Sequence, residues 1–501
     1  MPRTRTGETT ARLLLALVCA AQLMVVLDVS VVNVALPSIR SSLGFSATGL
    51  PWVAHAYTLA FGGLLLLGGR LADLYGHRRV FAAGLALFCA ASLLGGAAPS
   101  PVLLVTARAL QGAGAAVLAP ATLTILTASF PEGRARVRAL AAWTAVSVAG
   151  GAVGNLLGGA LTEALSWRSV LLVNVPVGIA ALAMTPYLLG RERHDRDPAN
   201  TGQRDRERHD RAPHSTGSPG RDPRGRSPGE GRGGRIDLPG AVTATGGTVA
   251  LTYGLTRTAE HGWWDPAAVA VLAAGVLALA LFAAVESRAP APLLPPGLLR
   301  RRAVWAGNAM VFLAGVCFQV PMWYFLTFYM QDELGFGPLL TGLGFLPHTL
   351  VTMAVGWLVT PWLMGFVRAR TLIGVGCLTA AAGFAWQAAA VTEQTYAAAV
   401  LGPAVLISVG GGLFTTPLTA VVTSGAAPGD AGAVSGLMNA AKQTGGALGL
   451  AALMTTAVSG HAPEGEAYGL VFGLLAAVQL VAAALTPVLP RETRRDPSEG
   501  A

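Results

Sequence analysis

Runs of about twenty apolar residues recur from one end of this chain to the other, and nothing constrains its fold more, because each run can cross the hydrocarbon of a bilayer as a helix. In lipid the backbone must satisfy its own hydrogen bonds, so helices are the expected form of every run. The windows lie near residues 12–36, 50–70, 79–98, 101–126, 137–162 and 167–189, then 236–256, 266–286, 303–328, 338–361, 369–390, 396–423, 431–458 and 467–489. That makes fourteen, the third and fourth separated only by Ala98, Pro99, Ser100 and Pro101. A soluble domain carries about a quarter charged residues; here 12% are charged and 53% hydrophobic. The chain reads as an all-α polytopic membrane protein, a composition that excludes most soluble enzymes.

The net charge of +9 does not indicate nucleic acid, because the basic residues are 34 arginines and Lys442, and all but Arg108 and Lys442 fall between the windows or at their ends, on alternate sides. One set of connections holds Arg3, Arg5, Arg12, Arg70, Arg78, Arg79, Arg134, Arg136, Arg138, Arg288, Arg300, Arg301, Arg302, Arg368, Arg370, Arg491, Arg494 and Arg495; the other holds only Arg40, Arg168 and Arg257. Cytoplasmic connections of membrane proteins are enriched in basic residues, so the first set is assigned inside and both termini are expected to be cytoplasmic. The run over 13–36 is too long for the apolar core of a signal peptide and is read as a retained first helix. Cys19, Cys89, Cys317 and Cys377 all fall within windows without paired spacing, which suggests neither a disulfide framework nor a zinc site.

Residues 190–235 are rich in Arg, Asp, His, Pro, Gly and Ser and nearly free of aliphatic side chains, the composition of a disordered tether. Six windows precede this segment and eight follow. The expected organisation is a cytoplasmic N-terminus (1–11), a six-helix bundle (12–189), the cytoplasmic linker (190–235), two inserted spans (236–287), a second six-helix bundle (288–489) and a cytoplasmic tail (490–501). In such two-bundle transporters the substrate site lies between the bundles near mid-membrane.

Of 26 acidic residues, Asp28 alone falls well inside a window, with Ser30 and Asn33 as polar neighbours in sequence. A carboxylate there costs about 2.5 kcal/mol or more on insertion scales, so it needs a wet cavity or a partner. It is a candidate proton or cation site, or else a structural carboxylate paired to a neighbouring helix. Arg108 is the only arginine well inside one of the first six windows, which suggests that the two meet, unless Arg108 snorkels to an interface. Gln111 follows Arg108 by one helical turn. Lys442 is the only charge placed within a window of the second bundle, available to a substrate carboxylate or to a structural hydrogen bond.

Four motifs give these residues a context. Gly69-Arg70-Leu71-Ala72-Asp73-Leu74-Tyr75-Gly76-His77-Arg78-Arg79 lies between the second and third windows, where Gly69 and Gly76 would allow a tight turn. It resembles the major facilitator superfamily signature G-x-L-x-D-x-x-G-x-[RK]-[RK]. Arg108-Ala109-Leu110-Gln111-Gly112-Ala113-Gly114 resembles that family's R-x-x-Q-G-x-G, and Gly150 to Gly159 resembles its antiporter pattern G-x-x-x-G-P-x-x-G-G, with Asn155 at the proline position. The glycine spacing at 150, 154 and 158 is also what close helix packing requires. Trp167-Arg168, Asn174-Val175-Pro176, Leu238-Pro239-Gly240 and Ser435-Gly436-Leu437-Met438-Asn439 with Gln443 resemble the fourteen-helix drug:proton antiporter branch.

The resemblance implies a major facilitator fold of two six-helix bundles plus two additional central helices. It implies that Asp28 and Arg108 couple transport to protons, and that Gly69, Asp73, Gly76, Arg78 and Arg79 latch the bundles in one state. Gly150, Gly154, Asn155, Gly158 and Gly159 would form the antiporter-type packing face. Asn33, Gln111, Gln319, Trp323, Tyr324 and Lys442 are candidate cavity residues, the aromatics among them equally readable as an interfacial belt. The expected activity is proton-driven export of amphipathic organic compounds across the plasma or inner membrane, by a monomer, with a proton gradient and no cofactor or metal. Export of an endogenous metabolite or siderophore, or proton symport, are alternatives; a membrane sensor or enzyme is remote. No GxxxxGK[ST] loop supports direct use of ATP.

Overall fold

The computed structural model describes residues 5–130, 133–188, 238–288, 296–425, 431–459 and 464–490, and helix is the only regular structure among them. The expected linker over 190–235 lies outside the described residues, as do 1–4 and 491–501 of the termini. Among the described residues there are fourteen long rods: α1 (Arg5–Leu43), α2 (Trp52–Tyr75), α3 (His77–Gly96), α4 (Pro101–Ser129), α5 (Arg134–Ala164), α6 (Ser169–Leu188), α7 (Leu238–His261) and α8 (Pro266–Arg288), followed by α9 (Arg302–Glu333), α10 (Pro338–Leu363), α11 (Ala369–Glu393), α12 (Ala397–Ser424), α13 (Ala431–Ser459) and α14 (Glu464–Leu485). Eleven of them are, on their described residues, long and apolar enough to cross a membrane. The less apolar α7 and α13 pack on each other and on α2, which reduces the surface they present to lipid.

The rods overrun their apolar windows. α2 continues through Tyr75, so its connection to α3 is Gly76 alone, at φ 87°. Only glycine reaches that conformation without strain. Gly69, expected to share in the turn, lies instead within α2, two turns before its end, where continuous helix leaves no turn to make. The ambiguous break between the third and fourth windows is real: the Ser100 hydroxyl accepts from the Leu103 amide (3.4 Å) and caps α4, with Pro101 at its first position. α9 is interrupted at Gln319 and Val320, because Pro321 has no amide to give the Cys317 carbonyl. There the Trp323 indole donates to the Phe318 carbonyl (2.9 Å) and turns toward the interior.

Helices α1 to α6 pack mainly on one another, and α9 to α14 do the same. α7 joins the two sets. It packs on α2 and α13, accepts at Glu260 from Thr48 of the first set, and accepts at its Leu255 carbonyl from Thr455 of the second (2.9 Å). α8 packs on α7 and is otherwise peripheral, only 11% of its apolar window being buried.

The two ends of the assembly differ. At the arginine-poor end one hydrophobic core runs across both sets, with Val31, Leu36 and Val53 on one side and Tyr324, Phe328 and Phe345 on the other. Toward the arginine-rich end there are two separate cores, one from residues of α1 to α6 and one from residues 298–489. Among the described residues the molecule is sealed at the first end, and its two cores do not meet at the second.

Candidate functional site

Asp28 and Arg108 meet in the first set. Both are buried, and an Arg108 Nη1 pairs with Asp28 Oδ2. The other carboxylate oxygen accepts from Gln111 Nε2 and from Asn174 Nδ2, each at 3.0 Å. Gln111 also accepts from Arg108 Nη1 (3.0 Å) and donates to the Ser92 hydroxyl (2.8 Å). Arg108 Nε donates to the Val53 carbonyl (3.1 Å), and its guanidinium lies 4.5 Å from the Tyr57 ring centre. Residues of α4 and α6 thus converge on the α1 carboxyl, and residues of α2 and α3 hold Arg108 and Gln111 in place behind it. Charge-assisted bonds of this kind hold a buried pair only while both charges are present; removing one partner leaves the other uncompensated, at a cost of about 3–5 kcal/mol.

Two expectations are corrected here. Arg108 does not snorkel; it is 2% exposed and fully engaged. Ser30 and Asn33 do not serve Asp28, because residues two and five positions further along a helix point to other faces. Ser30 instead packs against Gly154 of α5, and Asn33 is buried without a bond to Asp28. The partners overlooked from sequence were Asn174, Ser92 and Tyr57. Asn174, a polar side chain within an apolar window, was the available signal.

The α5 glycines work on two faces. A Cβ on Gly150 would lie 3.1 Å from a Val26 methyl, one on Gly154 would lie 2.6 Å from the Ser30 Cβ, and one on Gly158 would lie 2.6 Å from the Val31 carbonyl oxygen, so α1 and α5 are in backbone-close contact. Gly159 faces Pro338 and Leu339 of α10, and a Cβ on Gly342 of the same helix would lie 2.5 Å from the Asn155 carbonyl oxygen. α5 therefore links the helix carrying Asp28 to the opposite set at the sealed end. The Asn155 side chain is buried, with its Oδ1 unbonded among the described residues.

Polar contacts across the sealed end reinforce this. Arg40 pairs with Asp332 (3.4 Å) above the Phe328 ring, Gln331 donates to the Val34 carbonyl (2.9 Å), and Glu163 accepts from the Leu339 amide (2.9 Å). At the arginine-rich end, Gly76 makes the turn while Arg78 and Arg79 occupy the first turn of α3. Asp73 is on α2, and its side chain lies outside the described residues.

The second set holds a cavity of about 610 Å³. Gln319, Trp323 and Lys442 line it; Asn33, Gln111 and Tyr324 do not. Gln111 is held in the Asp28 network, while Tyr324 packs against Phe328 in the core of the sealed end. Gln319 and Trp323 are four residues apart and share a wall; Tyr324 and Phe328 share the adjacent face. His348 is buried in the same wall, edge-on to Trp323 with ring centres 5.0 Å apart, its Nδ1 bonded to the Ser408 hydroxyl (2.8 Å). The lining continues along Thr419, Thr423 and Ser435, at the ends of α12 and α13 that face the arginine-rich side.

The Major Facilitator Superfamily pattern matches residues 18–450 of this chain. The chain is 50% identical over 499 residues to the cephamycin export protein CmcT of Amycolatopsis lactamdurans, covering 98% of this chain and 96% of that one. It is 43% identical to the puromycin resistance protein of Streptomyces alboniger (89% and 82% covered) and 31% identical to the lincomycin resistance protein of Streptomyces lincolnensis (98% and 96%). Among solved structures, a peptide transporter, POT, superposes with a TM-score of 0.63 over 94% of each chain at 14% identity, a likeness of fold.

Proposed function

This chain belongs to the Major Facilitator Superfamily, and we propose that it exports an antibiotic or a related amphipathic compound in exchange for protons, by alternating access. It is a multi-pass membrane transporter for a small organic substrate. The arginine-rich end is assigned to the cytoplasm of a plasma or inner membrane by the basic-residue rule, with both termini inside, and the unit of function is a monomer. On this reading the described conformation faces inward, its cavity open to the side from which an exporter loads. The division into bundles at 12–189 and 288–489, with α7 and α8 inserted, belongs to the same reading.

The observation that carries the reading is the buried network of five helices centred on the Asp28–Arg108 pair, joined through α1 and α5 to the sealed end. Protonation of Asp28 at an Oδ removes its negative charge and weakens the bonds from Arg108, Gln111 and Asn174. Arg108 then keeps the Gln111 and Val53 oxygens and the Tyr57 ring, which limits the penalty of losing its counter-charge. α1, released from α4 and α6, can shift against α5 and open the seal at α10. The proton gradient supplies the bias: protonation from outside, discharge inside.

The test is uptake of a cephamycin, puromycin and lincomycin into inverted membrane vesicles energised by a proton gradient, with and without a protonophore. Gradient-dependent uptake of at least one compound is expected. Uptake of none, or uptake indifferent to the protonophore, overturns the proposal.

A further inference from the structure

The cavity of the second set is one-sided in its charge. Lys442 lies on its wall, and neither Asp nor Glu is among the lining residues. Among the described residues the Lys442 ammonium has no hydrogen-bond or ion-pair partner. Its backbone is fixed, because α9 and α13 cross closely there: a Cβ on Gly315 would strike the Lys442 carbonyl, and one on Gly449 would lie 2.8 Å from the Val316 Cα. With Ser435 and Asn439, Lys442 forms an exposed stripe at helical spacing, so its side chain opens into the cavity and not into lipid.

The other polar groups on the wall have largely spent their donors. The Thr415, Thr419 and Thr423 hydroxyls donate to carbonyls one turn back in their own helix, at 2.7, 2.9 and 2.8 Å. Asn439 donates to the Ser435 carbonyl (3.0 Å), and Gln319 donates to Gln443 (3.0 Å). What remains is an apolar surface with aromatic faces at Phe318, Trp323 and Trp357, the unbonded Thr352 hydroxyl, and one cation, Lys442. A charge so deep in the membrane calls for a partner, and the wall supplies none.

We infer that this cavity takes an organic anion, its carboxylate or similar acidic group on the Lys442 ammonium and its apolar body against Trp323 and the neighbouring rings. The inference rests on the export reading only for the direction of movement; the site itself is a property of the resting cavity. Lipophilic cations are disfavoured, since they meet a like charge and no carboxylate.

Lys442 is the only lysine in the chain, which makes the test direct. The purified full-length protein is treated with an uncharged succinimidyl ester, and acylation of Lys442 is followed by peptide mass spectrometry, apart from the N-terminal amine. Three probes share one ring system: 1-naphthaleneacetate, its methyl ester, and (1-naphthylmethyl)trimethylammonium. The anion is expected to slow acylation by about fivefold or more, and the ester and the cation by less than about twofold. Equal protection by the cation, or protection by none of the three, overturns the inference.

In inverted vesicles, Lys442→Gln is expected to reduce uptake of carboxylate-bearing compounds by about tenfold or more, while Lys442→Arg retains it; undiminished uptake by Lys442→Gln also overturns the inference. The labelling needs no gradient, so anion protection without proton-driven uptake would count against the export mechanism and leave the binding site standing.

Discussion

The two sets of helices each carry charge among apolar helices, and they handle it differently. In the first, Asp28 and Arg108 neutralise each other within a closed network that leaves Asp28 0% exposed. In the second, Lys442 stands alone on the wall of an open cavity. A closed pair responds to the smallest of ions, a proton, that can enter without displacing anything. An open, unpaired charge responds to whatever fits the cavity. On the proposed reading the first half senses the gradient and the second holds cargo, with α5 and α7 as the elements that join them.

The sharpest way to break this comparison is Asp28→Asn, which preserves shape and removes the titratable group. Proton-driven uptake is expected to fall to the level of vesicles without the protein, with normal expression; substantial remaining uptake would remove Asp28 from the coupling role. Next comes Arg108→Gln, expected to destabilise the protein by about 3–5 kcal/mol through the uncompensated carboxylate, read as a fall in thermal unfolding temperature in detergent. The double variant Asp28→Asn/Arg108→Gln should regain much of that loss, because neither charge remains buried alone.

Asn174→Ala removes one donor to a charged acceptor and should cost about 1.5–3 kcal/mol by the same measurement. Gly159→Val tests the link to the seal. Its side chain would press on Leu339 Cα, 2.8 Å from the Cβ position, and overpacking of about 1–3 kcal/mol should weigh against the sealed state. Spin labels at positions 165 and 340, exposed residues of α5's end and α10, should then report longer distances.

The smallest effect is expected at the surface. Asp265, between α7 and α8, accepts from Arg257 (2.6 Å), and this bond holds its carboxyl below the usual carboxylate range. Any stabilisation is therefore present at neutral pH and is lost as pH falls through that lowered value. Asp265→Asn should leave the unfolding temperature at pH 7 nearly unchanged, because an ion pair in water contributes little. A large effect would mean that the α7–α8 connection is held more tightly than its exposure suggests.

What could be foreseen from sequence followed the same division. Helix count and the meeting of Asp28 with Arg108 were legible because a charge in an apolar window has few places to go. The identity of Asn174 and Tyr57 as partners was not, since they come from distant windows and depend on how helices rotate about their axes. The same rotation separates Trp323, on the cavity wall, from Tyr324, in the sealed core; adjacent residues on a helix diverge by about 100°. Gly69 and Gly76 looked alike in the motif, and only the continuation of α2 to Tyr75 reveals that Gly76 makes the turn.

The solitary Lys442 has an electrical consequence. If the cargo is a monoanion, moving it out while one proton moves in transfers two positive charges inward per cycle, whereas exchange of a monocation for a proton would transfer none. Each charge crossing the membrane is worth about 2.3 kcal/mol per 100 mV. A cell with a negative interior would then drive this exporter by voltage even where the pH is equal on both sides, and a potassium diffusion potential imposed on vesicles should accelerate it without any pH difference.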